Sequence, residues 1–362
     1  MHVYVNPSIR ENTPLPVCFP KTGLREWRAR IQTERSKSTE EIMADTPLDQ
    51  STPRTRAGIS PADEKRLARE LSPDVAWPTI LLAILLPGSF ISLVVAGLTG
   101  PLPLWVCTPI LCFVSYAHYT LVHESVHGNI VSKRRSLNWI HTLIGWIGSI
   151  GIGSGWPVLQ KTHLLHHSHT NTERDPDIIV KGSLTQLLMK WVNGLWKSFI
   201  PFYAMRYIAP DGYAKLQSIF TRAEILQTSA VTIVALAFLT LAAATGHVVE
   251  WVCLWFIPTR VGVLLLNIFF QWMPHYPFDR TDRYRNTRIS LWLGGTIFTL
   301  GQNLHLVHHL WPSVPFYNYP RLYRALRPVL IEEGSPIQGL AVRGTIETSA
   351  PGDKDKEERK AA

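Results

Sequence analysis

The chain has 362 residues, of which only 17% are charged and 46% belong to the hydrophobic set, with 13 tryptophans. That balance is too lean in charge for an ordinary soluble or disordered protein and fits a chain partly buried in lipid. A net charge of +9 suits a nucleic-acid binder, but basic loops also orient membrane proteins, and the placement of the charges supports the bilayer, with no nucleic acid, as the partner.

In chain order, residues 1–74 are polar, lack a signal-peptide pattern and read as a disordered cytoplasmic segment with a short helix over Pro61–Leu71. Met43 offers a second plausible start. Four apolar runs of spanning length follow, at about Trp77–Leu98, Leu102–Val122, Ile225–Thr245 and Val249–Trp272. Short loops pair them into two hairpins. Lys and Arg crowd the N-terminal segment, the 123–224 loop and the region after Trp272, so both termini and the long loop are expected in the cytoplasm. Leu137–Leu159 is apolar and glycine-rich, and is expected to be interfacial or re-entrant; Leu184–Ile208 also reads as interfacial, and Ile289–Leu300 is too short to span. The expected fold is an all-α integral membrane protein, four transmembrane helices in two hairpins under a cytoplasmic helical cap. The domain is expected over 75–333, with a disordered tail over 334–362.

Eight of the 14 histidines fall in three clusters: His123 and His127; His163, His166 and His167; His305, His308 and His309. Offsets of three and four place imidazoles on one helix face. On the expected topology all three clusters reach one side, as a shared metal site requires. Imidazole suits iron, copper, zinc and nickel, and eight such ligands exceed what one zinc ion takes, which points to two metal ions. Cys18, Cys107, Cys112 and Cys253 have no paired spacing and contribute no thiolate site. His2, His118, His141 and His247 read as ordinary lone histidines. Glu124, Asp175, Asp177, Asp279 and Asp282 are close enough in sequence to orient the imidazoles. Arg260 lies within the fourth span, facing either a polar cavity and a substrate group or the backbone carbonyls freed by Pro258.

These spacings, in this order and topology, resemble the membrane fatty acid desaturase superfamily over about Trp77–Pro328, roughly 70% of the chain. The resemblance implies two non-haem iron ions, O2 and oxidation of an unactivated C–H bond of a lipid. It adds His275, just past the last span, as a ninth ligand, and His169 beside the second box as a possible one. Where acyl-CoA desaturases carry an Asn before that late histidine, Gln271 stands here, with Asn267 a turn further back. No nucleotide, haem or iron–sulfur motif is visible, so an external donor, a ferredoxin or a cytochrome b5-like protein, is implied.

The second box, continuing as His-Thr-Asn-Thr-Glu-Arg-Asp-Pro-Asp, is similar to acyl-lipid desaturases and to carotenoid ring hydroxylases. The first box has three intervening residues where acyl-CoA desaturases have four. Met273–Phe278 and His305–Tyr319 look like carotenoid ketolases and hydroxylases. Acyl desaturation is expected first, as the commoner activity of the family, and carotenoid oxygenation second. A non-enzymatic metal transporter is disfavoured because its ligands would lie at the midplane, and a haem cytochrome because adjacent histidines are poor axial ligands.

Overall fold

A computed structural model describes residues 58–133, 135–340 and 345–347. Expectations for residues 1–57, Met43 among them, and for the end of the tail lie outside the described residues. Helix α1 (Pro61–Glu70) forms where the sequence suggests one. Ser60 caps it, its hydroxyl accepting from Asp63 N while the Asp63 carboxylate accepts from Ser60 N. The helix is docked. Ala68 is buried in the same core as Leu306, Val307 and Leu310. Glu64, also buried, accepts from the Tyr284 hydroxyl (2.8 Å) and from Trp311 Nε1 (3.3 Å). The following residues bond on both sides: Ser72 donates to Ser313 O, Asn318 to Leu71 O, Ala76 N to Ile130 O. Residues 60–74, expected within a disordered segment, are therefore a strap joining the loop after the first box to the loop after the third.

Four helices are long and apolar enough to cross a membrane: α2 (Trp77–Thr99), α3 (Leu104–Val126), α8 (Arg222–Thr245) and α9 (Val248–His275). Helix α2 ends at Gly100, whose φ of +91° closes the helix in a left-handed cap. Helix α3 is the centre of the bundle, 67% buried where α2 is 11% buried. Its neighbours approach through glycines. A Cβ on Gly148 would lie 2.7 Å from His118 O, and one on Gly262 would lie 2.7 Å from the Ser115 hydroxyl.

Helices α4 (Trp139–Gly151) and α5 (Trp156–His169) occupy the segment expected to be re-entrant, and they are bent by 101° at the break. Helix α4 runs along α3, with Ser115 Oγ donating to Gly151 O. Helix α5 then leads to the second box, whose imidazoles meet those of the first, so this segment does not separate the boxes. Arg260 closes the break: Nη2 donates to Ile152 O and Gly153 O, at 3.3 Å each, and Nη1 to Ser198 Oγ. It does pair with backbone carbonyls, but with those of the α4–α5 break and not those expected beside Pro258. Unsatisfied carbonyls at membrane depth are costly, which gives a reason for a charge inside a span.

Helices α6 (Leu184–Gly194) and α7 (Pro210–Ile219) precede α8, and α9 is interrupted by two wider π turns, Val252–Phe256 and Asn267–Trp272. The second leads directly to His275. Beyond it, β1 (Ile289–Ser290) pairs in parallel with β2 (Ile337–Gln338), Ile289 opposite Ile337, and β2 pairs antiparallel with β3 (Thr345–Glu347). Residues 337–338, expected in a loose tail, are thus tied to the domain. Helices α10 (His305–Leu310) and α11 (Tyr319–Glu332) lie between β1 and β2.

Glu64→Ala removes a buried acceptor from two donors and is expected to cost about 1–3 kcal/mol. Glu64→Gln should lose less, since its amide oxygen still accepts from one donor. Unfolding in detergent micelles measures both; an alanine variant as stable as the parent would refute the role of the strap.

Candidate metal centre

The nine histidines expected as ligands come from four separated helices. His123 lies in the last turn of α3 and His127 caps it. His163, His166 and His167 are on α5, His305, His308 and His309 on α10, and His275 ends α9. Their ring nitrogens converge in two groups. His123, His127, His163 and His308 form one, and His166, His275, His305 and His309 the other, the ligand atoms of each lying within 4.8 Å of one another. His167 stands between them, with Nε2 2.8 Å from His308 Nε2 and its ring stacked on His309 at 4.4 Å. The grouping cuts across the boxes. His163 and His166 separate, as do His308 and its neighbours His305 and His309.

The orientation of the rings tests whether a metal fits. Glu124 accepts from His123 Nδ1 (3.2 Å), Asp175 from His166 (2.9 Å), the Asn171 side-chain oxygen from His275 (3.1 Å) and that of Gln302 from His305 (3.0 Å). The Tyr119 and Tyr319 hydroxyls take the same position at His163 (3.3 Å) and His308 (2.9 Å). A neutral imidazole that donates from Nδ1 has a bare lone pair on Nε2. In the pair His275–His305 (3.1 Å) two such lone pairs face each other, and in His123–His308 (3.0 Å) they do so when the Tyr319 hydroxyl accepts from His308. A proton on one ring would relieve the repulsion, yet burial and neighbouring imidazoles hold His305 and His308 well below the usual histidine range. A cation satisfies both rings. Metal–nitrogen bonds of about 2.1 Å at angles of about 90–109° separate ligand nitrogens by roughly 3.0–3.4 Å, close to the 2.8–3.2 Å found across six imidazole pairs of the cluster.

Of the expected supporting residues, Glu124 and Asp175 bond directly to ring nitrogens, and Asp177 lies 3.6 Å from His166 Nδ1. Burial pushes the Asp177 carboxyl up to about 6. Gln271 bonds to Asp177. His169 is turned away, its Nδ1 donating to Leu165 O, and joins neither group; two residues past the pair carry it off their face. Asp282 pairs with Arg285 at the surface and Asp279 lies by Arg288, so neither bonds to an imidazole among the described contacts. His118 is a core residue donating to Val114 O, and His247 pairs with Glu250.

Four partners escaped the sequence reading. Asn171, held at φ +63° with its amide donating to Arg280 O and Asn286 O, ties the second box to the segment after α9. Its place in His-Thr-Asn beside the box was a usable signal. So were Gln302, three residues before His305, and Tyr119, one turn before His123. Tyr319 is eleven residues from His308 and gave none.

Asp175 also accepts from Asn171 N and Asp177 N, so Asp175→Asn should lower metal affinity about 10–100-fold. His169→Ala and Asp282→Asn should retain bound metal. Metal content after purification and dialysis reads all three, and metal lost only from His169→Ala would invert the assignment.

The sequence profile of the fatty acid desaturase family matches residues 99–341. A beta-carotene ketolase of Paracoccus sp. (strain PC1) is 29% identical over 248 residues, 67% of this chain and 88% of the relative. A second beta-carotene ketolase, from Paracoccus sp. (strain N81106 / MBIC 01143), is 27% identical over 58% of this chain and 75% of its own. The sn-1 oleoyl-lipid 12-desaturase of Anabaena variabilis is 23% identical over 70% of this chain and 76% of its own. A match over most of the domain, with the histidines gathered at the helix ends, identifies the chain as a member of the fatty acid desaturase family.

Proposed function

We propose that the chain is a membrane di-iron oxidoreductase that uses O2 and an external electron donor to oxidise a C–H bond of an apolar lipid. The observation that carries this reading is the convergence of ring nitrogens in two four-histidine groups, with Nε2 lone pairs opposed across His275–His305. Bound there by the nine histidines, two iron ions would supply O2 activation. The chain's own residues do the rest. Glu124, Asp175, Asn171 and Gln302 fix the tautomers and aim the rings. Tyr119 and Phe270, edge to face at 5.0 Å and both against His123, close the bundle side of the site to water. From Phe270 the ring contacts continue through Tyr116 to Phe298 and Phe113, so the bundle interior beside the site is apolar, as an apolar substrate requires.

The two-hairpin arrangement with the site on the cytoplasmic side remains our reading, supported by the positions of the basic loops. A ferredoxin or cytochrome b5-like protein is the proposed donor. We place oxidation of a carotenoid end ring first among substrates. The ketolase of Paracoccus sp. (strain PC1) matches over 88% of its length, and the sequence after the third box is of the same kind. Desaturation of an acyl chain is the second reading, favoured by the acyl-lipid desaturases among the relatives. Ligands at helix ends rather than at the midplane favour an enzyme over a metal transporter.

Expression in a host making both unsaturated lipids and β-carotene, with lipid and pigment profiling, decides between them. Oxygenated carotenoid with unchanged acyl chains supports the first reading, and a new acyl double bond supports the second. His166→Ala should abolish either product. Full turnover by that variant, or metal flux into vesicles with no lipid product, would overturn the proposal.

A further inference from the structure

We infer that the outer face shared by α1 and α11 is the docking site for a small acidic one-electron carrier protein; this rests on the oxidoreductase reading above. Helix α11 has two unlike faces. Leu322, Leu326 and Leu330 are buried in the core that contains Leu306, Val307 and Leu310 of the third box. At the start of the same helix, the Tyr319 hydroxyl lies 2.9 Å from His308 Nδ1. The opposite face carries Arg321, Arg324 and Arg327, spaced by three and all exposed. Helix α1 packs beside it through Leu67, Ala68 and Leu71 and exposes Lys65, Arg66 and Arg69. Of these six cations Arg66 is pinned to Asp63 at 3.1 Å and Arg327 also has a partner, which leaves Lys65, Arg69, Arg321 and Arg324, and the nearby acids Glu70, Glu332 and Glu333 are outnumbered.

A basic helix at a membrane surface commonly binds anionic lipid by burying its apolar face in the interface. Here that face is committed to protein core, with Leu322 and Leu330 at 0% exposure. A basic surface free of that role attracts an acidic partner, raising its encounter rate in a salt-sensitive manner. A partner seated on the outer face of α11 is separated from His308 by one helix, about 10–12 Å across, with Tyr319 between.

Two carriers docking in turn would each be oxidised by one electron. Those two electrons, the two from the C–H bond or bonds of the substrate, and two protons from solvent reduce O2. The balance is one alcohol and one water, or one alkene and two waters.

The test uses the full chain in detergent, with soluble [2Fe–2S] ferredoxin and the soluble haem domain of cytochrome b5 as probes. The parent should bind at least one of them, more weakly as salt rises from ~20 to ~200 mM. Arg321→Glu with Arg324→Glu should weaken that binding at least about tenfold, and the double glutamine variant less. Lys215→Glu, elsewhere on the surface, should leave it unchanged. Binding of neither probe, or equal binding by parent and charge-reversed chain, overturns the docking site. So does a loss confined to phosphatidylglycerol vesicles, which would make this a lipid-facing surface. Lipid and pigment profiling is independent of these measurements, so an active chain that binds neither probe would refute the docking site alone.

Discussion

The structure depends on nine clustered imidazoles, six of which have the outer nitrogen held by a neighbouring side chain. Once Nδ1 of His123, His275 and His305 donates to Glu124, Asn171 and Gln302, Nε2 has only a lone pair to offer, and the same holds for His308 when the Tyr319 hydroxyl accepts from it. Those lone pairs are directed at each other across about 3 Å. The supporting shell therefore does more than steady the rings. Between rings held in this way it disfavours a direct imidazole–imidazole hydrogen bond and leaves their Nε2 atoms suited to a shared cation.

Holding four helix ends in that arrangement explains features that look incidental in isolation. Glycines at 148 and 262 let α4 and α9 approach the backbone of α3. The 101° break between α4 and α5 brings the second box back to the first, and Arg260 satisfies the carbonyls exposed there. The 60–76 strap bonds to Ile130 beyond the first box and to Ser313 and Asn318 beyond the third. Each contact joins segments far apart in sequence, so the site is held by ties between distant elements at several points rather than by one large core.

Much of this was legible in the sequence, and the boundary of legibility has a physical cause. Spans announce themselves through apolar length, and the boxes through offsets of three and four, because both signals are local. The partition into two groups is not local. His305 and His309 share a group, as residues four apart should, but His308 is turned to His123, and His163 and His166 diverge although both are on α5. Which face of a helix meets which partner is set by packing, and spacing alone does not encode it. The same limit applies to Tyr319, and to residues 60–74: their polarity suggested disorder, whereas two buried positions, Glu64 and Ala68, decide that they dock.

Charge compensation unites the site with its surroundings. Imidazole ligands are neutral, so cations bound by them alone would keep their full charge in a medium of low dielectric. Three carboxylates, Glu124, Asp175 and Asp177, are buried directly behind the rings, and among the described ion pairs they meet only histidines. Buried acids without cationic partners are unfavourable, as the rise of Asp177 to about 6 records. The two costs cancel when metal is present: the acids neutralise the ions through the rings, and the ions stabilise the ionised acids. An all-nitrogen set of ligands with a carboxylate layer behind it would thus act as one electrostatic unit, to which Asp175 would contribute as much as the histidine it orients.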